Sequence, residues 1–258
     1  MLRPFWILIA ICSCATIAFA QTSQNAGNLL GSGISLRGGL GRLAIKDEYI
    51  SEEKYSGTLG SFSLSWLQGD SSSANRLGLD YSGSSAIRNN NISAQVAQAA
   101  LNLDFLRSVG TFALLHRDVF AYIGPSADFY IYYRQQRIAS GGNASFSAYS
   151  FAMFLSLDVN STLVMPLSSG FSAEGSARLS LLSMGGRLVD MHDSNVKFFK
   201  LVSILGGIRG HTEILLRCDL SDIFLLKAGY RFEICQSSTW SYLLSASDNV
   251  VLVVTVRM

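Results

Sequence analysis

Along most of the chain, hydrophobic positions recur at every second residue. Tyr149, Phe151, Met153, Leu155, Leu157 and Val159 alternate with Ala148, Ser150, Ala152, Phe154, Ser156 and Asp158. Period two places these sets on opposite faces of an extended strand. Phe62, Leu64 and Trp66 likewise face away from Ser61, Ser63 and Ser65, and Phe224, Leu226, Ala228, Tyr230, Phe232 and Ile234 away from Leu225, Lys227, Gly229, Arg231 and Glu233. At the end of the chain Val250, Leu252, Val254, Val256 and Met258 oppose Val251, Val253, Thr255 and Arg257. A helix would mix these sets, because its like-facing residues recur every three or four positions.

The pattern predicts ten strands, near 29–45, 56–69, 73–84, 93–108, 116–135, 143–159, 168–184, 201–220, 222–235 and 248–258. In the fourth, the apolar set moves from Ala94 and Val96 to Leu101, Leu103 and Phe105, which predicts a β-bulge. Pro125, which has no N–H to donate, predicts a bulge or an edge in the fifth. The joins fall into two groups. Those at 46–55, 85–92, 136–142, 185–200 and 236–247 are expected on one side, as long and mostly charged loops, and short turns such as 70–72 on the other.

Composition narrows what such a sheet could be. Of 258 residues, 49% are hydrophobic and 15% charged, and 20 basic side chains nearly cancel 18 acidic ones. That balance excludes the basic footprint of a nucleic-acid binder. Three prolines and no low-complexity stretch leave one domain, 21–258, behind a leader. The leader is expected over 1–20: Met1-Leu2-Arg3, an apolar run from Trp6 to Ala18, and Ala18-Phe19-Ala20 as an A-x-A cleavage site. Cleavage removes Cys12 and Cys14. Cys218 and Cys235 then fall at opposite ends of adjacent strands and are expected as free thiols.

Charge placement separates a soluble sandwich from a membrane barrel. The less apolar faces carry Arg37, Asp80, Asp104, Asp128, Arg134, Asp158, Glu174, Arg178, Arg209, Glu213, Arg217, Lys227, Arg231, Glu233 and Arg257, and the apolar faces carry none of them. Arg42 and Arg107 break parity near strand ends, where a long side chain reaches water. Aromatics of the apolar face gather toward strand ends, Tyr81, Tyr133, Tyr149 and Phe232 at the long-loop side and Trp66, Phe105, Phe171 and Phe224 at the other. Paired aromatic girdles mark the two interfaces of a bilayer. The fold class expected is therefore all-β: a transmembrane antiparallel up-and-down β-barrel of about ten strands, with 8–12 possible.

With its leader, alternating strands, Gly229-Tyr-Arg-Phe232 run and terminal apolar alternation, the chain resembles the small outer-membrane β-barrel proteins of Gram-negative bacteria. The resemblance implies residence in the outer membrane as a monomer, contact with outer-membrane lipids and lipopolysaccharide, and insertion by the barrel-assembly machinery. It implies no nucleic-acid partner and no cofactor. Such proteins usually end in an aromatic residue, and Met258 departs from that.

Inside a ten-stranded cylinder the near-balanced charges are expected to pair and fill much of the space, since open channels need about sixteen strands. Asp128, Arg134, Glu174, Arg178, Arg209, Glu213, Arg217, Lys227, Arg231 and Glu233 form the expected lumenal network. A wide porin is thereby excluded, and a structural, surface-interacting or narrow-pore barrel is expected. The rival is a surface hydrolase built on Asp190, His192 and Ser194 of the fourth outer loop, where an Asp orients an imidazole that activates water. This loop resembles the Asp-x-His half-site of the omptins, ten-stranded outer-membrane proteases. Their opposing Asp pair is missing from Ser84–Asn91, and Asp80 lies lower without a partner. His192-x-Ser194-Asn195 also resembles the motif of lipid A deacylases, in which Ser is the nucleophile. That family carries its motif near the C-terminus of an eight-stranded barrel, so a solvated polar loop is the plainer reading. His211 belongs among the lumenal charges, and no Cys/His cluster has metal spacing.

Overall fold

The computed structural model describes residues 30–48, 51–70, 72–89, 92–139, 145–168, 170–189, 197–203, 207–238 and 242–258. The leader expected over 1–20 and the 190–195 loop lie outside them. The strands are β1 (Gly33–Asp47), β2 (Ser51–Gly69), β3 (Ser73–Asn89), β4 (Ile92–Leu114), β5 (Arg117–Ala139), β6 (Ser145–Ser168), β7 (Phe171–Val189), β8 (Lys197–Ser203), β9 (Gly207–Asp219), β10 (Phe224–Ser237) and β11 (Leu243–Arg257). β8 and β9 both pair with β7 and occupy one position in the wall. Apart from β8 and β9, each strand pairs antiparallel with the next, and β1 closes on β11 from Gly33↔Arg257 to Asp47↔Leu243. The result is a closed ten-position antiparallel barrel, with no helix among the described residues. Pairing β1 with β11 removes the two edges an open sheet would present to hydrocarbon, where an unpaired backbone is costly.

The expected faces are those observed. On β11, Val250, Leu252, Val254 and Val256 are exposed, while Ser247, Asn249, Val251, Val253 and Thr255 are buried. Exposed hydrophobics cover the outer wall, including Leu36, Leu40, Phe62, Leu64, Leu79, Leu155 and Ile214. Water would not tolerate such a surface, and hydrocarbon favours it. Trp66, Phe105, Phe171 and Phe224 are exposed toward the short-turn rim. Toward the other rim, Tyr81 and Tyr230 are exposed and Tyr133 stacks on Tyr149 at 6.3 Å. Cys218 and Cys235 are free thiols, and Cys235 is buried.

Three expectations need correction. The fourth strand has no bulge where the apolar set moves: β4 pairs with β5 without interruption from Ile92↔Ile138 to Asp104↔Ser126. Ala94 and Val96 simply face inward, because this end of the lumen is apolar. Pro125 does not shift the register either, since Asp104↔Ser126 and Arg107↔Ile123 share one register; the shift comes between Ser108 and Gly110. Gly110 has φ +137°, a conformation a side chain rarely adopts. Finally, much of what composition marks as long loop is wall. β2 begins at Ser51, β5 runs to Ala139 and β11 begins at Leu243, so the strands continue beyond the apolar band.

Inward faces divide into layers along the axis. At the loop end Leu43, Ile45, Tyr55, Leu59, Ile87, Ala94, Val96, Ala100, Tyr130, Tyr132, Ala152, Phe154, Cys235 and Leu243 form one cluster. Its members come from β1 to β6 and from β10 and β11, so the cluster reaches across the lumen. A smaller cluster of Ala74, Leu106, Tyr122 and Val164 lies at the short-turn end, packed by Leu30, Leu67 and Phe120. Most of the buried ionic side chains occupy the space between, while Asp47, Arg134 and Arg187 lie at the loop end.

Candidate functional site

Period two aims every second side chain inward, and the barrel's width then brings opposite walls within reach of long side chains. Arg37 Nη2 of β1 donates to Glu213 Oε2 of β9 at 3.1 Å, and Lys227 Nζ of β10 to Glu174 Oε2 of β7 at 2.6 Å. Arg217 stands 3.5 Å from the other Glu174 oxygen. Arg178 of β7 reaches Asn102 and Asp104 of β4, and Arg76 Nε of β3 donates to Asp104 at 2.6 Å. Arg209 of β9 pairs with Asp128 of β5 and lies 3.4 Å from Glu233, while its guanidinium covers the Tyr130 ring at 4.0 Å. Arg231 stands 3.4 Å from Glu233 and 3.7 Å from Asp80. Gln98 Nε2 donates to Ser245 at 3.0 Å, tying β4 to β11.

Among the expected network members, Asp128, Glu174, Arg178, Arg209, Glu213, Arg217, Lys227, Arg231 and Glu233 thus meet one another or neighbouring charged groups inside the barrel. Arg134 does not. Its Nη2 donates to Gln136 Oε1 at 2.9 Å, and its guanidinium stacks on the Tyr55 ring at 4.3 Å. It is wholly buried, and Nε and Nη1 meet no acceptor among the described residues. The hydroxyls of Tyr55 and Tyr132 are buried beside it, also without hydrogen-bond partners among the described residues. Sequence reading passes over these two tyrosines. The available signal is the 129–133 run, Phe-Tyr-Ile-Tyr-Tyr, where apolar and aromatic residues occupy both faces.

Asp190, His192 and Ser194 lie outside the described residues. Asp80 faces the middle of the lumen, where it accepts from Asn102 Nδ2 at 2.7 Å, and its ion-pair contact is Arg231. Arg42 and Asp248 face outward as register partners across the closing seam, and Asp248 accepts from the Arg42 backbone N at 3.1 Å. Sequence analysis flags Arg42 alone, since only the β1–β11 register reveals its neighbour. No group of three or more metal-ligating side chains occurs among the described residues. Between the ion pairs a cavity of about 80 Å³ is lined in part by Arg37, Arg76, Glu174, Glu213 and Lys227.

Comparison with solved structures places this arrangement among known folds. The translocator domain of the autotransporter NalP from Neisseria meningitidis superposes with a TM-score of 0.50 at 10% identity, over 98% of this chain and 95% of that one. The fold is that of an outer-membrane β-barrel. The outer-membrane protease OmpT of Escherichia coli gives a TM-score of 0.48 at 7% identity, covering 92% and 100% of the two chains. For Ail, the attachment invasion locus protein of Yersinia pestis, the values are 0.34, 9%, 88% and 99%. No family model matches the chain, and no curated protein sequence does either.

Proposed function

We propose that the protein is a non-enzymatic barrel of the bacterial outer membrane, exported by cleavage of residues 1–20, which is closed to solute flow and acts through its outer surface. One observation carries this reading: the lumen is bridged at successive heights. The ties are Lys227–Glu174 and Arg37–Glu213, Arg178–Asp104 and Arg231–Asp80, Arg209–Asp128, and finally the apolar cluster around Tyr55, Tyr132 and Phe154. An aqueous path would have to break several buried ion pairs at once. Each break leaves a desolvated charge and costs about 3–5 kcal/mol.

In this reading the outward hydrophobic wall contacts outer-membrane lipids and lipopolysaccharide, and the barrel works as a monomer inserted by the assembly machinery. The engagement of Asp80 by Asn102 and Arg231 supports a structural role over a catalytic one.

Planar-bilayer recordings on the purified mature protein test the proposal. The expected result is no steady unitary conductance at moderate voltage, and a reproducible open channel would overturn it. Whole-cell assays of peptide and lipid A cleavage, comparing the native chain with His192→Ala, test the non-enzymatic part. Activity present in the first and lost in the second would reverse it.

A further inference from the structure

Among the described residues, the inward face at the loop end carries two buried guanidinium groups, Arg134 and Arg187, and one buried carboxylate, Asp47. Arg134 of β5 sits directly opposite Ser150 of β6 in the ladder. Ser150 accepts from Arg187 Nη2 of β7 at 3.0 Å, and Arg187 also pairs with Asp47 of β1. Two guanidinium groups therefore flank one serine, and Asp47 pairs with Arg187. Among the described residues Arg134 has no carboxylate within ion-pair distance, and it has no exposed surface. Its acceptor there, the Gln136 amide oxygen, is neutral. Stacking on Tyr55 compensates only in part, because a desolvated cation–π contact is worth about 2 kcal/mol while a desolvated unpaired charge costs several.

The unmet donors are neighbours. Arg134 Nε and Nη1 and the hydroxyls of Tyr55 and Tyr132 are all buried without an acceptor among the described residues. Tyr132 and Arg134 are two residues apart on the inward face of β5, and the Tyr55 ring lies against the guanidinium. Water could accept from each of them but would leave the charge uncompensated. A small anion both accepts and neutralises. Leu43, Ile45 and Leu243 of the same cluster keep the surroundings apolar, which strengthens a charge-assisted hydrogen bond there.

We propose that Arg134, Tyr55 and Tyr132 form a binding site for one small oxyanion, a carboxylate or a phosphate, at the loop end of the lumen. Because Arg134 points into the barrel, the ligand is a solute rather than a lipid headgroup. The site would also help to hold β2 to β5, since the anion takes donors from both strands.

Equilibrium dialysis of radiolabelled inorganic phosphate against the detergent-solubilised mature barrel, in a zwitterionic buffer of constant low ionic strength, tests this. The native chain is expected to bind one saturable equivalent, competed by acetate. Arg134→Gln should weaken binding at least about tenfold, the scale of one charge-assisted hydrogen bond. Folding of each variant is checked by its heat-modifiable migration. Should Arg134→Gln fail to fold, the double variant Tyr55→Phe, Tyr132→Phe decides, because it keeps the charge and should weaken binding by a smaller factor. No saturable binding to the native chain, or unchanged affinity in the folded variants, would overturn the proposal.

Discussion

The carboxylate of Asp104 on β4 stands 2.6 Å from Nε of Arg76 on β3, and its side chain has no exposed surface. It accepts from Arg178 of β7 as well, and from Ser126 Oγ at 2.5 Å. One buried anion thus holds two cations from different walls. Removing it strands both. Asp104→Asn is expected to destabilise the barrel by about 3–5 kcal/mol, as breaking a buried pair does. Lys46 and Glu48 make an equally short contact of 2.6 Å, but their side chains are 36% and 38% exposed. Glu48→Gln should therefore change stability by no more than about 1 kcal/mol. Urea unfolding in lipid vesicles, followed by tryptophan fluorescence, checks both; equal effects would contradict the burial argument.

The β4–β5 turn carries strain. Leu115 and His116 have φ of 53° and 61°, the left-handed conformation that a two-residue hairpin of matching twist needs. Asn-Gly normally fills that role, and a left-handed residue with a side chain costs about 1–2 kcal/mol. Replacing the pair by Leu115→Asn with His116→Gly should raise stability by about 1 kcal/mol or more. A loss of stability in the same unfolding experiment would mean that Leu115, exposed as it is, makes contacts that matter.

At the β2–β3 turn the Asp70 carboxylate accepts from the backbone amides of Ser72 and Ser73 at 2.7 and 2.8 Å, and from the Ser72 hydroxyl at 2.8 Å. These bonds favour the charged form, the Ser72 hydroxyl most, and hold the carboxyl below its ordinary value of 3.8. A depressed folded-state value means that the turn's contribution is fully present above 3.8 and fades as pH falls through the lower folded value. Carbon-13 titration of Asp70 should give a midpoint below 3.8, moving up in Ser72→Ala. A midpoint at or above 3.8 in the native chain would contradict the hydrogen-bonded geometry.

Much of this was legible in the order of residues, for a physical reason. A barrel in lipid must separate its faces completely, so runs such as Val250 to Val256 write the separation into every second position. Strand ends were less legible, since beyond the hydrocarbon the outward face also takes polar residues, and a sequence such as Ser51 to Lys54 carries no alternation. The apolar layer within the lumen hid in the same way. Tyr130, Tyr132 and Phe154 sit on the face a two-letter pattern calls wet, and only cross-wall packing explains them. Arg134 illustrates the limit at the site itself. Its inward direction follows from parity, but its lack of a carboxylate depends on which side chains the opposite wall presents.

The central claim is that the hydrophobic faces meet lipid and the charged faces meet each other. Spin labels placed singly at Val250, Val251, Leu252, Val253 and Val254, in the barrel reconstituted into vesicles, test it most directly. Collision with dissolved oxygen, which concentrates in hydrocarbon, should be high at 250, 252 and 254 and low at 251 and 253. The inverse alternation, or uniform access along the five positions, would contradict the account.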